Sequence, residues 1–144
     1  MRRTIVIAGS LAQRPGNGGH AWVFLQYLLG FKRLGWDVLF LDRLDASMCI
    51  DSRGQACKFE VSKNKRYFLD VMQRFGLNDS YSLDYNRGEL VLGLPRANML
   101  ERVRHAATLI NVMGFIDDHE VLSLRRPKTF WIFVYENSSS LQSP

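Results

Sequence analysis

The chain has 144 residues, of which 47% are hydrophobic and 23% are charged. This composition predicts one globular domain with a real core and excludes a disordered chain. The formal net charge of +5 is spread over small basic clusters that acidic residues interrupt, which favours phosphate groups or a membrane surface over nucleic acid as a partner. No apolar run reaches the roughly 18 residues that span a bilayer. We therefore expect a cytoplasmic protein, for which peripheral membrane contact remains open.

The first third of the chain has the pattern strand, helix, strand. Residues 4–8 (TIVIA) and 37–41 (DVLFL) are short β-branched apolar runs, typical of buried strands. Between them, apolar residues recur at helical spacing over residues 20–34, and Gly35 is placed to end that helix. A right-handed parallel crossover is implied. Asp42 then lies at the C-terminal end of the second strand, where open α/β sheets place ligand-contacting groups.

The rest of the chain continues to alternate between helices and strands. A polar segment, residues 45–63, is longer than most connections. We expect a helix capped by Asn64, a small hairpin or two short sheet additions over residues 81–92, a helix over 95–107, a strand over 109–113, a short helix over 117–124 and a strand over 129–135. The prediction is an α/β domain at residues 4–135, with a three-layer Rossmann-like sheet, mostly parallel, and helices on both faces. Residues 136–144 are expected to be a disordered tail.

Two cysteines, Cys49 and Cys57, lie in the polar segment. Their spacing does not match a zinc site, and no histidine is close in sequence. We therefore predict no metal site and two reduced thiols, as is usual in the cytosol, with a local disulfide as the alternative.

The loop after the first strand contains a glycine pattern. Residues 16–21 (GNGGHA) match G-x-G-x-x-A, and Asp42 follows about 20 residues later, as in dinucleotide-binding domains. The mechanism of that motif requires its first glycine in the tight turn that leaves the strand. Here residues 9–15 intervene. A site for NAD(P) built on Gly16, Gly18, Ala21 and Asp42 therefore remains only an alternative.

The wide loop predicts a different kind of site. Asn17, Gly18 and Gly19 would bring backbone N–H groups close to a ligand, while His20 would project into the crevice above the sheet. An imidazole can accept a hydroxyl proton at neutral pH, and a helix N-terminus disfavours its cation. The alternative is that His20 is only a helix residue with a solvent contact.

Four consecutive segments of residues 4–44 occur together in one enzyme family. They are the strand IVIAG, a loop ending in GGH, the helix AWVFLQYLLGFKRLGWDV and the strand VLFLD. This arrangement resembles the start of the acceptor-side domain of GT-B glycosyltransferases, in which a Gly-Gly or small-Gly-His loop precedes a helix ending in LxxxGHxVxxx. Residues 34–38 (LGWDV) stand where that family has Gly-His-x-Val. By the order of its elements, the resemblance extends to about residue 135.

The resemblance implies transfer of a sugar from a nucleotide-sugar donor to the hydroxyl of a small-molecule or glycan acceptor held by this domain. In members with an acceptor-activating histidine, that residue matches His20, which would take the hydroxyl proton as the oxygen attacks the anomeric carbon. An aspartate about a hundred residues later commonly orients it, which implies Asp117, with Asp118 beside it. Helix capping remains an equal interpretation of both acids. Asn111 and Gly114 would line the same crevice.

The sequence departs from the family in one respect. GT-B enzymes bind the donor nucleotide chiefly in a second, C-terminal domain, whereas this sequence passes from TFWIFVY into ENSSSLQSP. We therefore expect an apparently truncated acceptor half that needs a separate donor-binding domain or chain, is catalytically incomplete alone and carries no cofactor of its own. An NAD(P)- or nucleotide-binding domain and a non-catalytic binding module are the alternatives.

Overall fold

The computed structural model describes residues 3–114, 116–124 and 128–132. These residues form one six-stranded sheet with helices packed on it. Its strands are β1 Thr4–Ala8, β2 Asp37–Leu44, β3 Tyr81–Tyr85, β4 Leu90–Gly93, β5 Thr108–Val112 and β6 Lys128–Ile132. The helices are α1 Gly18–Arg33, α2 Lys63–Arg74, α3 Arg96–Arg104 and α4 His119–Leu122. Neighbouring strands are parallel except β4, which forms a hairpin with β3, one of the two arrangements expected there.

The strand order is β4-β3-β2-β1-β5-β6. Strands β2, β3 and β4 follow one another on one side of β1, and the chain then crosses back and adds β5 and β6 on the other side. In open α/β sheets, such a reversal leaves a crevice at the carboxyl ends of the two strands that flank it. Here those strands are β1 and β5, so the loops that follow them define the crevice.

Side-chain alternation along the strands builds two cores. In β1, Ile5 and Ile7 join a core with α1 and α2, whereas Val6 and Ala8 join a core with α3 and α4 on the opposite face. Strands of parallel sheets that are covered on both faces are apolar at nearly every position. The predicted α/β fold, mostly parallel with helices on both faces, is therefore confirmed.

Close packing between β1 and α1 depends on Gly9. A Cβ atom placed at Gly9 would overlap the ring of Phe24, which is fully buried. In contrast, a Cβ at Gly30, on the exposed side of α1, would meet no atom within 4 Å.

These two glycines give a matched pair of substitutions. We expect Gly9→Ala to lower the free energy of unfolding by about 2 kcal/mol or more, because the buried ring must move. Gly30→Ala should raise it by up to about 1 kcal/mol, since alanine is the better helix residue. Urea denaturation of both variants measures the difference. Equal stabilities would show that α1 packs on β1 less tightly than described.

The end of β2 and the N-cap of α2 differ from the prediction. Strand β2 continues to Leu44, because pairing with β3 runs from Phe40 opposite Tyr81 to Leu44 opposite Tyr85. Asp42 therefore lies within the strand. The prediction that Asn64 caps α2 is wrong: the Ser62 hydroxyl accepts the Lys65 N–H at 3.1 Å.

Asn64 instead ties two loops together. Its buried side chain accepts the Ile50 N–H at 2.9 Å and donates to the Ala12 carbonyl at 2.8 Å. The long polar segment after β2 is thereby held against the loop after β1.

At the C-terminal end, the predicted strand reaches residue 135, whereas β6 is described only to Ile132. The predicted tail, residues 136–144, lies outside the described residues. Within the described part of the chain, no helix has the length and apolar character needed to cross a membrane.

Candidate functional site

The loop after β1, residues 9–17, is folded inward and is called the opening loop below. Ser10, Leu11 and Ala12 are almost completely buried, so its first half belongs to the core. The second half is mostly exposed and leads into the first turn of α1. Gly16 has a left-handed backbone, with φ of +81°. It lies in this second half of the loop and not in a tight turn that leaves β1.

Asp42 holds the opening loop in place. One oxygen of its carboxyl group accepts the N–H groups of Leu11 at 3.0 Å and Ala12 at 2.8 Å, and the other accepts the Arg43 N–H at 2.7 Å. The side chain is 2% exposed. Burial raises the pKa of Asp42 to about 7, and the three N–H groups only partly offset that rise. A residue that was predicted to contact a ligand is thus engaged by the chain's own backbone.

His20 lies at the inner edge of the opening loop and is 7% exposed. Its Nε2 is 2.7 Å from the carbonyl oxygen of Ser10 and 3.2 Å from the Ser10 hydroxyl. Because a carbonyl oxygen only accepts, Nε2 carries the ring proton, and the basic lone pair of the neutral ring is on Nδ1. The ring packs edge-on against Phe24 with the centroids 5.1 Å apart. Backbone and core together therefore fix the tautomer and the ring plane.

Asn17, Gly18 and Gly19 form the start of α1. The Asn17 side chain is the N-cap and accepts the His20 N–H at 3.0 Å. A Cβ at Gly18 would meet nothing within 4 Å, and one at Gly19 would meet only the Asn17 side chain, at 3.7 Å. Because glycine has no side chain, the backbone of the first turn of α1 is exposed to solvent at these two positions.

Asn111 and Gly114 lie on the other side of the crevice. Asn111 pairs with Ala8 in the sheet and is fully buried. Its amide donates to the Ile116 carbonyl at 3.0 Å and accepts the Ile116 N–H at 3.3 Å. Met113 and Gly114 both have positive φ, +59° and +67°. For methionine this backbone is unusual, and it turns the chain sharply as it leaves β5.

Asp117 and Asp118 are both engaged by arginines. Asp117 pairs with Arg43, which lowers the pKa of Asp117. Asp118 caps α4 and receives two hydrogen bonds from Arg96, at 2.9 and 3.2 Å. Burial opposes the shift, but the Arg96 guanidinium lowers the pKa of Asp118. The capping interpretation of Asp118 is correct. The structure pairs Asp117 with Arg43, whereas the ring of His20 pairs with Ser10.

These ion pairs line a cleft of about 400 Å³ over the carboxyl ends of β2 and β3. We call it the arginine cleft, and its charged lining includes Arg43, Asp84, Arg87, Arg96 and Asp117. Among the described residues, no carboxylate lies within salt-bridge distance of Arg87, which sits at the β3–β4 hairpin tip with φ of +56°. The buried Oδ1 of Asp84 has no hydrogen-bond partner there.

The three arginines and Asp84 were not predicted as site residues. Arg43 and Asp84 lie near the carboxyl ends of the adjacent strands β2 and β3, and a position of this kind is the signal that singled out Asp42. Arg96 and Arg87 become neighbours of these residues only through the hairpin and the start of α3, and spacing along the sequence gives no sign of that.

In the described ranges, no cluster of three histidine, cysteine or acidic residues is arranged to hold a metal ion. The sequence matches no known protein-family model and no curated protein.

Proposed function

We propose that this chain is the acceptor-binding half of a glycosyltransferase and that a donor-binding domain or partner chain supplies the nucleotide sugar. The opening loop and the arginine cleft bind the acceptor in this proposal. The fold supports it, because both features lie at the carboxyl edge of a mostly parallel sheet, where ligands of open α/β domains bind.

The carboxyl group of Asp42 is the observation that carries the proposal. A dinucleotide-binding domain needs the acid after its second strand free to receive the ribose hydroxyls. Here the N–H groups of Leu11, Ala12 and Arg43 use both oxygens. The opening loop itself therefore occupies the region that a dinucleotide ribose would need, which favours an acceptor site over an NAD(P) site.

In the proposed reaction, His20 is the base. Its ring, whose Nε2 donates to the Ser10 carbonyl, would accept the acceptor hydroxyl proton at Nδ1. The acceptor oxygen forms a bond to the anomeric carbon while the bond from that carbon to the nucleotide phosphate breaks. Asp117, which pairs with Arg43, contributes to the shape of the arginine cleft in this proposal and does not orient the imidazole.

The arginine cleft suits a ligand rich in hydroxyl groups. Sugar hydroxyls both donate and accept hydrogen bonds, and both guanidinium and carboxylate groups line the cleft. Arg43 and Arg96 are fixed by their ion pairs, so their planar guanidinium groups are already in position before a ligand binds. Arg87, without an ion pair among the described residues, is the group we assign to direct contact with the acceptor.

Calorimetric titration of the chain alone with NAD⁺ and with UDP-glucose tests this function. We expect no binding tighter than about 1 mM for either compound, because the chain is proposed to lack a nucleotide site. Micromolar binding of NAD⁺ would overturn the proposal in favour of a dinucleotide domain. Micromolar binding of UDP-glucose would show that this chain holds the donor and not the acceptor.

A further inference from the structure

Cys49 and Cys57 lie opposite each other in a small antiparallel hairpin within the polar segment. Ile50 and Ala56 form an antiparallel bridge, and the Cys57 N–H donates to the Cys49 carbonyl at 3.2 Å. In antiparallel register, the residue before Ile50 is directly opposite the residue after Ala56. Directly opposed residues of antiparallel strands have Cα atoms about 4.5 to 5.5 Å apart, within the span of a disulfide.

The turn of this hairpin is already formed without any crosslink. The Asp51 carboxylate accepts the N–H groups of Arg53 at 2.8 Å and Gln55 at 3.0 Å. Gly54 adopts the left-handed backbone that the turn requires, with φ of +79°. The two cysteines are therefore held opposite each other before any bond forms between their sulfur atoms.

The two thiols differ in accessibility. Cys49 is 1% exposed and packs in the core, whereas Cys57 is half-buried at its edge. Both are free thiols in the structure. Burial raises the pKa of each, and the neighbouring Cys57 thiol adds to the rise at Cys49. Cys57 is consequently the sulfur that an external reagent reaches first.

We propose that Cys49 and Cys57 are a dithiol modification site that low-molecular-weight disulfides oxidise to an intramolecular disulfide. The Cys57 thiolate attacks one sulfur of the reagent, forms a mixed disulfide and releases one thiol. The Cys49 sulfur then attacks the Cys57 sulfur, forms the protein disulfide and releases the second thiol. The two cysteine protons end on the two released thiols, and the reagent disulfide takes up the two electrons.

The crosslink acts on the opening loop through Asn64. The Asn64 side chain accepts a hydrogen bond from the N–H of Ile50, the residue after Cys49, and donates one to the Ala12 carbonyl. Lys63 adds a second tie, because its N–H donates to the Ile50 carbonyl at 2.7 Å. Fixing the hairpin therefore restricts the anchor of the opening loop, whose Ser10 contacts His20. This inference is independent of the proposed glycosyl transfer.

Tryptic mapping after incubation with glutathione disulfide at pH 8 tests the site. Trypsin cuts after Arg43, Arg53 and Lys58, so the reduced protein gives residues 44–53 and 54–58 as separate peptides, each with one cysteine. We expect the oxidised monomer to give one linked peptide, which dithiothreitol separates again. Cys57→Ser is the control and should give no linked peptide. Separate peptides, with or without bound glutathione, would overturn the assignment, as would a linkage found only between two chains.

Two further measurements test the coupling to the opening loop. We expect oxidation to raise Tm by about 5 °C, because a short loop is closed in the unfolded chain. Amide exchange at Leu11 and Ala12 should slow at least threefold in the oxidised protein. Unchanged exchange at these two amides, with the linked peptide present, would overturn the coupling.

Discussion

Replacing Asp42 by alanine should lower the free energy of unfolding by about 4 kcal/mol at pH 5. Three buried backbone N–H groups, on Leu11, Ala12 and Arg43, lose their acceptor in this variant. The first two belong to the opening loop, so amide exchange there should accelerate even where the rest of the sheet stays protected. Urea unfolding and hydrogen exchange measure the two effects.

The stabilising effect of Asp42 should depend on pH. Its pKa is raised to about 7 in the folded protein, so the folded state binds the proton more tightly than the unfolded chain. Its contribution is therefore complete below about pH 4 and is lost as pH rises through 7. Between pH 5 and pH 8, the advantage of wild type over Asp42→Ala should shrink by about 2 to 3 kcal/mol. An advantage that grows over this range would contradict the buried, proton-binding role.

A matched control for this variant is Asp70→Ala. Asp70 is exposed on α2 and forms an i,i+4 ion pair with Arg74 at 3.0 Å. Exposed pairs of this kind contribute little, so the loss should stay below about 0.5 kcal/mol. If Asp42→Ala does not fold, Asp42→Asn retains one acceptor oxygen and allows the same pH comparison.

Replacing His20 by glutamine should lower the transfer rate about 10²- to 10⁴-fold in the enzyme reconstituted with its donor-binding domain. The glutamine amide can still donate to the Ser10 carbonyl that now binds Nε2, but it has no basic nitrogen. Stability should therefore stay near that of wild type. Steady-state rates between pH 6 and pH 8 measure the loss.

His20→Ala separates the structural role of this side chain from the chemical one. The alanine variant loses both the base and the hydrogen bond to Ser10, so it should be as slow as the glutamine variant and less stable by about 1 kcal/mol. Full activity of His20→Gln across the pH range would remove His20 from the proposed chemistry.

The fold was largely predictable because each element carries a local signal. Strands β1 and β5 are short and mostly apolar, and the apolar spacing of α1 ends next to a glycine. The errors occur where tertiary contacts determine where an element ends or which residue caps it. Strand β2 gains three residues because β3 pairs with it as far as Leu44. Ser62 and Asn64 are both good N-cap residues, and only the position of Ala12 and Ile50 determines that Asn64 is used elsewhere.

The site was less predictable, since it depends on how the loops fold. The sequence placed His20 on a helix start beside a wide loop, and the structure has it there. Nothing in the spacing indicates that Leu11 and Ala12 turn inward and engage Asp42. The apolar character of Leu11 and Ala12 could have predicted their burial, because two adjacent apolar residues in a loop tend to join the core. It could not have predicted their hydrogen bonds to Asp42. Asp117 and Arg43 are 74 positions apart, so their pairing depends on the sheet order alone.

Binding of the labelled chain to immobilised mono- and oligosaccharides tests the acceptor proposal most directly. We predict saturable binding to a subset of glycans that weakens at least tenfold in Arg87→Gln, because Arg87 lines the arginine cleft. Arg66→Gln, an exposed arginine on α2, should bind as wild type does. Absence of binding to every saccharide, or equal binding by wild type and Arg87→Gln, would contradict an acceptor site in the arginine cleft.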